Sequence, residues 1–366
     1  MATAALAGTP TSVPIQSPTP SPSTPAAPTE IKPLNPVRIV GGEPVDPGEF
    51  PYQMEIALRD TIPPHWLHAR SMTIAKTTVN DHECGAALIA PDWVLTARHC
   101  FEIDPGDPKQ LATYVVRGGA TKLSGPDNIS PAPDLVQFDI ERIVFDPDFQ
   151  GGSNFTPPRH DLALVHLASR PPLDPPGTPR EKRRFGILAL PTRPMPRNTA
   201  YGGLLVASGW GATAAATAAD EVRFEAVQPT TNQVLQPMSP YLEKVSLYQY
   251  GAADCARRIG AQAALAARAM NTGAPPPFRL DNTLMCAGAR DDSGAPASTC
   301  QGDSGGPIVK PYGGRNGDTP ELVAVVGWAV GCAVAPGVYT RVYEHLAWIK
   351  RTMRAGAPPQ IARPGR

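Results

Sequence analysis

The octapeptide Cys300-Gln301-Gly302-Asp303-Ser304-Gly305-Gly306-Pro307 sets a serine among glycines, where the backbone can turn sharply and approach a substrate closely. A serine hydroxyl is a weak nucleophile near neutral pH. Ser304 therefore needs a base within hydrogen-bond reach and a third group to orient that base. Two upstream segments supply them. Trp93-Val94-Leu95-Thr96-Ala97-Arg98-His99-Cys100 ends an apolar strand on a histidine, and Arg159-His160-Asp161-Leu162-Ala163-Leu164-Val165-His166-Leu167 opens another strand on an aspartate. The order along the chain is His99, Asp161, Ser304.

Gly302-x-Ser304-x-Gly306 also fits the nucleophile elbow of an α/β-hydrolase, with Asp318 or Glu321 and then His345 completing a Ser, acid, His order. That elbow needs a buried apolar strand before the serine and a helix after it. Here Asp291 to Gln301 is polar and loop-like, and Pro307-Ile308-Val309 resumes as a strand. His345 falls in Tyr343 to Arg354, an amphipathic helical pattern with Leu346, Ile349 and Met353 on one side, and reads as a helix-surface histidine.

Further segments stand in a consistent order: Arg38-Ile39-Val40-Gly41-Gly42, Ser208-Gly209-Trp210-Gly211, Met285-Cys286-Ala287-Gly288 and Pro336-Gly337-Val338-Tyr339-Thr340-Arg341-Val342. With the three segments above, the chain from about Arg38 to Met353 resembles the chymotrypsin-like (trypsin-like) serine peptidases, whose triad runs in this order. The resemblance implies an all-β fold of two six-stranded antiparallel β-barrels, with the active site in the cleft between them, and a C-terminal helix. It implies that Ser304 attacks, His99 carries the proton and Asp161 orients His99, while the N–H groups of Gly302 and Ser304 form the oxyanion hole. Ser298, Ala329 and Gly337 take the positions of the primary specificity pocket. Arg38–Ile39 corresponds to an activation site, with the freed Ile39 ammonium expected to pair with Asp303.

Two positions depart from the family pattern. Arg98 replaces a usual alanine, so its side chain is expected to reach solvent or a carboxylate, since burying it unpaired would be costly. Gly327 stands where a serine usually supports the catalytic aspartate. At the pocket base, Ser298 replaces the aspartate that would select Arg or Lys, which implies cleavage after apolar residues. Asp291 or Asp292 on the neighbouring loop is the alternative source of a counter-charge.

Lys plus Arg and Asp plus Glu both total 33. A chain without net charge carries no signature of a nucleic-acid or anionic-membrane partner, and no apolar run has the length of a membrane span. Protein or peptide substrates, an activating trypsin-like peptidase and a monomeric state are expected. The six cysteines cannot be paired by arithmetic; the resemblance implies Cys84–Cys100, Cys255–Cys286 and Cys300–Cys332. Disulfides point to an oxidising compartment, so the protein is expected to be secreted or periplasmic.

No cofactor and no metal are expected. His65, His68 and His82, with Asp81 and Glu83, show no rigid element to converge them and read as solvated loop histidines. Nine of the first 37 residues are proline, and such a segment buries too little apolar surface to offset the entropy of ordering it. The expected organisation is a disordered leader at 1–38, a peptidase domain at 39–354 and a flexible tail at 355–366. The domain divides into barrels at about 39–168 and 181–342 and a closing helix at 343–354. Ala5-Leu6-Ala7 resembles a signal-peptidase site without the usual preceding segments, which suggests a start upstream or a trimmed signal. The alternative function is a non-catalytic or weakly active binding protein on the same scaffold.

Overall fold

The computed structural model describes residues 39–59, 81–125, 130–196, 203–213, 238–289, 297–311 and 319–355. Thirteen strands are assigned among them. A two-residue strand β1 (Glu43–Pro44) precedes the first barrel, which comprises β2 (Gln53–Leu58), β3 (His82–Ala90), β4 (Trp93–Thr96), β5 (Tyr114–Gly118), β6 (Val136–Phe145) and β7 (Ala163–Leu167). These close in the order β2-β3-β4-β7-β6-β5. The second barrel comprises β8 (Leu204–Gly209), β9 (Glu243–Gln249), β10 (Leu284–Gly288), β11 (Pro307–Lys310), β12 (Glu321–Trp328) and β13 (Gly337–Arg341). It runs β9-β10-β13-β12-β11-β8, closes through a β8–β9 pairing, and carries β1 on β9. All pairings within both barrels are antiparallel.

The strands follow from period-two patterning. In β9, Glu243, Val245, Leu247 and Gln249 are buried while the residues between them are not, as alternation across a pleated strand requires. β3, β4 and β5 read as longer apolar runs because barrel closure buries much of both faces. The first core gathers Met54, Ile56, Leu88, Leu95, Leu164 and Val165. The second gathers Ile39, Leu205, Leu247, Met285, Ile308 and Tyr339.

Among the described residues three α-helices accompany the barrels: α1 (Pro108–Leu111), α2 (Ala252–Ala269) and α3 (Leu346–Ala355). The Ala-rich sequence from Gly260 to Met270 has the spacing to extend a short helix, and it forms the C-terminal half and cap of the 18-residue α2. Its buried residues Cys255, Ile259, Ala263, Ala266 and Ala267 recur at helical spacing and form one stripe. A single 3₁₀ turn, Tyr343–His345, leads into α3, whose Trp348 and Ile349 pack into the first-barrel core. His345 is only 5% exposed. The helix-surface reading is therefore corrected: the turn preceding α3 lies against the first barrel and points His345 inward.

The disulfides are Cys84–Cys100, Cys255–Cys286 and Cys300–Cys332, the pairing that the resemblance implies. Among the described residues no helix is long and apolar enough to cross a membrane.

Candidate active site

Register alone brings His99 and Asp161 together. β4 pairs antiparallel with β7, Thr96 opposite Ala163 and Leu95 opposite Leu164, so residues just after β4 and just before β7 share one end of the ladder. His99 occupies a single 3₁₀ turn, Arg98–Cys100, tied back to β3 by Cys84–Cys100. The side chain of Asp161 is fully buried. Its Oδ1 accepts the His99 backbone N–H at 2.9 Å, and its Oδ2 lies 2.6 Å from His99 Nδ1. A carboxylate only accepts, so Nδ1 carries the proton and Nε2 keeps its lone pair. This arrangement fixes both tautomer and ring direction.

Ser304 reaches the same place from the second barrel. Its carbonyl accepts the N–H of Gly85 in β3 at 2.8 Å, and Thr96 Oγ1 donates to the Gly85 carbonyl at 2.8 Å. Gly305 (φ +76) presses on the end of β4, where a Cβ would lie 2.1 Å from Thr96 Oγ1 and 2.5 Å from the Gly85 oxygen. Gly302 (φ +89) would carry a Cβ 2.3 Å from Met238 Cε. Left-handed backbone and absent space together make both positions glycine.

The peptides around Ser304 are directed as well. The Gln301 carbonyl accepts from Ala212 N at 2.7 Å, and the Asp303 carbonyl from Gly306 N at 2.9 Å. In a trans peptide the N–H points opposite its carbonyl, so the Gly302 and Ser304 N–H groups face away from these protein donors. Among the described residues neither has a partner. Two directed, unpaired N–H groups flanking a serine can receive a developing oxyanion.

The family model for trypsin matches residues 39–349. The chain belongs to the trypsin family. It is 29% identical to kallikrein-15 of Saguinus oedipus over 78% of this chain and 88% of that protein. It is 28% identical to human transmembrane protease serine 5 over 86% of this chain, but spans only 51% of that longer relative. This trypsin-family chain is a serine endopeptidase.

The endopeptidase holds a buried histidine that sequence reading misplaced. His82, taken for a solvated loop residue, opens β3, and its side chain is fully buried. Its Nδ1 lies 3.0 Å from Glu55 Oε1, and Nε2 lies 2.8 Å from the Gly302 carbonyl. Burial opposes the charged ring, but the Glu55 hydrogen bond and charge, the Gly302 carbonyl and Asp303 together raise the His82 pKa above its ordinary value. The missed signal is the alternation of His82, Cys84 and Ala86 on one face of a strand. His65 and His68 lie outside the described residues.

Arg98 is partly exposed and feels the negative charge of Asp161, as expected, and it also meets aromatic rings. The guanidinium sits 3.8 Å from the Phe145 ring centroid, with Phe149 at 5.3 Å, and Nη1 donates to the Phe101 carbonyl at 2.6 Å. An aromatic face and one carbonyl accommodate the cation here. At Gly327, a Cβ would lie 4.0 Å from Asp161 Oδ2. A serine hydroxyl there could donate to the Asp161 carboxylate. Gly327→Ser is therefore expected to raise kcat about two- to tenfold, the effect of one ordinary hydrogen bond worth about 0.5–1.5 kcal/mol. Unchanged or lower kcat, measured on a peptide ester, would show that Asp161 is already fully held.

At the position expected for the pocket base, the Ser298 hydroxyl turns back to the Thr299 carbonyl at 2.7 Å. A Cβ at Gly337 would lie 2.4 Å from the Tyr339 hydroxyl, which sits 3.2 Å from Thr299 Oγ1. Asp291 and Asp292 lie outside the described residues.

Asp303 is fully buried. Burial raises its pKa from 3.8 to about 6, opposed by the N–H groups of Cys300 and Gly211 and by the charge of His82. Ile39 is fully buried in the second core, and the Val40 carbonyl accepts from Ser298 N at 3.1 Å. Among the described residues no hydrogen bond or ion pair joins Ile39 to Asp303. Arg38 lies outside the described residues.

Proposed function

We propose that this endopeptidase cuts peptide bonds through an acyl-enzyme carried by Ser304, His99 and Asp161, and that it is a secreted zymogen activated after Arg38. The observation that carries the reading is the buried Asp161–His99 pair beside a serine loop whose Gly302 and Ser304 N–H groups have no partner among the described residues. His99 Nε2 takes the Ser304 proton as Oγ attacks the carbonyl carbon, then returns it to the leaving amine. Asp161 stabilises the imidazolium formed in between. The Gly302 and Ser304 N–H groups receive the oxyanion. A serine-directed phosphonate should label cleaved protein at Ser304 and fail to label Ser304→Ala; a mass shift elsewhere in the chain would end this assignment.

The enzyme prefers an apolar residue on the acyl side of the cut bond. Ser298, Thr299 and the Tyr339 hydroxyl present hydroxyls and no carboxylate, so a cationic side chain entering beside them loses hydration without gaining a counter-charge. A peptide library should show Leu, Met, Phe or Tyr favoured over Arg and Lys by about tenfold or more in kcat/KM, since pocket discrimination of this kind is worth about 1–3 kcal/mol. A clear preference for Arg or Lys would overturn it. One corollary is that the enzyme activates itself poorly after Arg38 and depends on a trypsin-like activator.

A further inference from the structure

We propose that Asp146, His160 and His345 form a structural binding site for a zinc-class divalent cation, stapling the turn before α3 to the first barrel immediately beside the catalytic aspartate. The three residues come from separate places in the fold. Asp146 follows β6, His160 precedes Asp161 at the mouth of β7, and His345 ends the 3₁₀ turn before α3. One ligand atom from each lies within 4.8 Å of the others. His345 Nε2 is 3.2 Å from His160 Nδ1 and 3.8 Å from Asp146 Oδ2. Donors bound at about 2.0–2.1 Å in a tetrahedron stand roughly 3.3 Å apart, so an ion fits with small movements.

The surroundings orient these atoms as a metal site needs. His345 Nδ1 donates to the Arg341 carbonyl at 2.7 Å, leaving Nε2 as the lone-pair nitrogen; such outer hydrogen bonds set the tautomer of metal-bound histidines. Asp146 Oδ1 accepts from Asp148 N at 3.0 Å, leaving Oδ2 to face the rings. The Asp146 backbone N–H donates to the Leu162 carbonyl at 3.0 Å, which locks that loop to the segment bearing His160. The side chains of Asp146 and His345 are each 3% exposed, whereas His160 is half-buried. One side is thus open to solvent for entry and for a fourth, water ligand.

Without an ion, the two rings must share one proton across 3.2 Å. The cation replaces that proton. This site contains none of the loop histidines considered from sequence, and it revises the expectation that no metal binds. Because the donors are already spaced for the ion, binding holds His160, and through it Asp161, in the position described above rather than displacing them.

The test uses the full chain. Zinc competed against a chromophoric chelator, and cobalt(II) followed by its visible absorption, should each report one tetrahedral ion per chain. A hundredfold excess of zinc over its Kd should raise the thermal midpoint by about 5 °C. Asp146→Asn and His160→Asn should each weaken binding at least about tenfold; asparagine tolerates the left-handed backbone at His160 (φ +51), so His160→Asn keeps the fold. His99→Ala and a His65→Ala/His68→Ala double variant should bind as the parent does. Absence of binding by the parent, equal binding by the two ligand variants, or loss in His99→Ala or the loop variant would overturn the proposal.

Discussion

Ser304→Ala, cleaved and purified, should turn over peptide substrate about a million times more slowly than the parent enzyme, the order measured when a triad serine is removed. His99→Ala should cost about as much, because the hydroxyl without its base is as ineffective as the base without its hydroxyl. The double variant should be no worse than either single one. A residual rate comes from the Gly302 and Ser304 N–H groups, which still polarise the carbonyl for attack by water. Independent multiplication of the two losses would contradict the shared proton path from Oγ to Nε2. Near-parent kcat in either single variant would remove that residue from the chemistry.

The second large effect concerns Asp303. Its pKa is raised from 3.8 to about 6 by burial, so the uncut fold favours the protonated acid. The resulting stability is complete below 3.8 and is lost as pH rises through about 6. At pH 8 the buried carboxylate costs about 3 kcal/mol at 1.36 kcal/mol per unit, equivalent to an equilibrium constant about a hundredfold smaller for ordering the loop around it. His82, also raised, weakens the fold in the same direction as it deprotonates. Cleavage after Arg38 would supply the Ile39 ammonium as a counter-charge to ionised Asp303. Protein beginning at Ile39 should therefore be about a hundredfold more active than the uncut chain at pH 8, and the stability gap between the forms should narrow at pH 5. Asp303→Asn should cleave normally yet lose about 10²–10³ in kcat, as when one oxyanion donor is misplaced. Equal activity of cut and uncut protein, or parallel melting curves across pH, would sink the switch.

Several features that position the site are local in sequence. Runs such as Ala86–Ala90, Ile140–Phe145 and Leu322–Trp328 read as strands because side-chain alternation and β-branched content act over neighbouring residues. Each lies within an observed strand. The glycines around Ser304 are legible for the same reason, since a backbone requirement is written at the residue that bears it. The order His99, Asp161, Ser304 became meaningful through resemblance, and β4–β7 register supplies the physical basis for the first two.

What the sequence by itself determined is therefore the all-β class, the cysteine set, and a serine in a constrained loop with its histidine and aspartate. The tertiary structure alone decided which polar groups are buried and what they meet. His82 finds Glu55 at a separation of 27 residues and the Gly302 carbonyl at 220, and His345 finds His160 at 185. Arg98 found the aromatic faces of Phe145 and Phe149, and the Tyr339 hydroxyl found Thr299. Local patterns encode periodicity and backbone shape, whereas a buried polar residue is read correctly only once barrel closure brings up the partner that offsets its lost hydration.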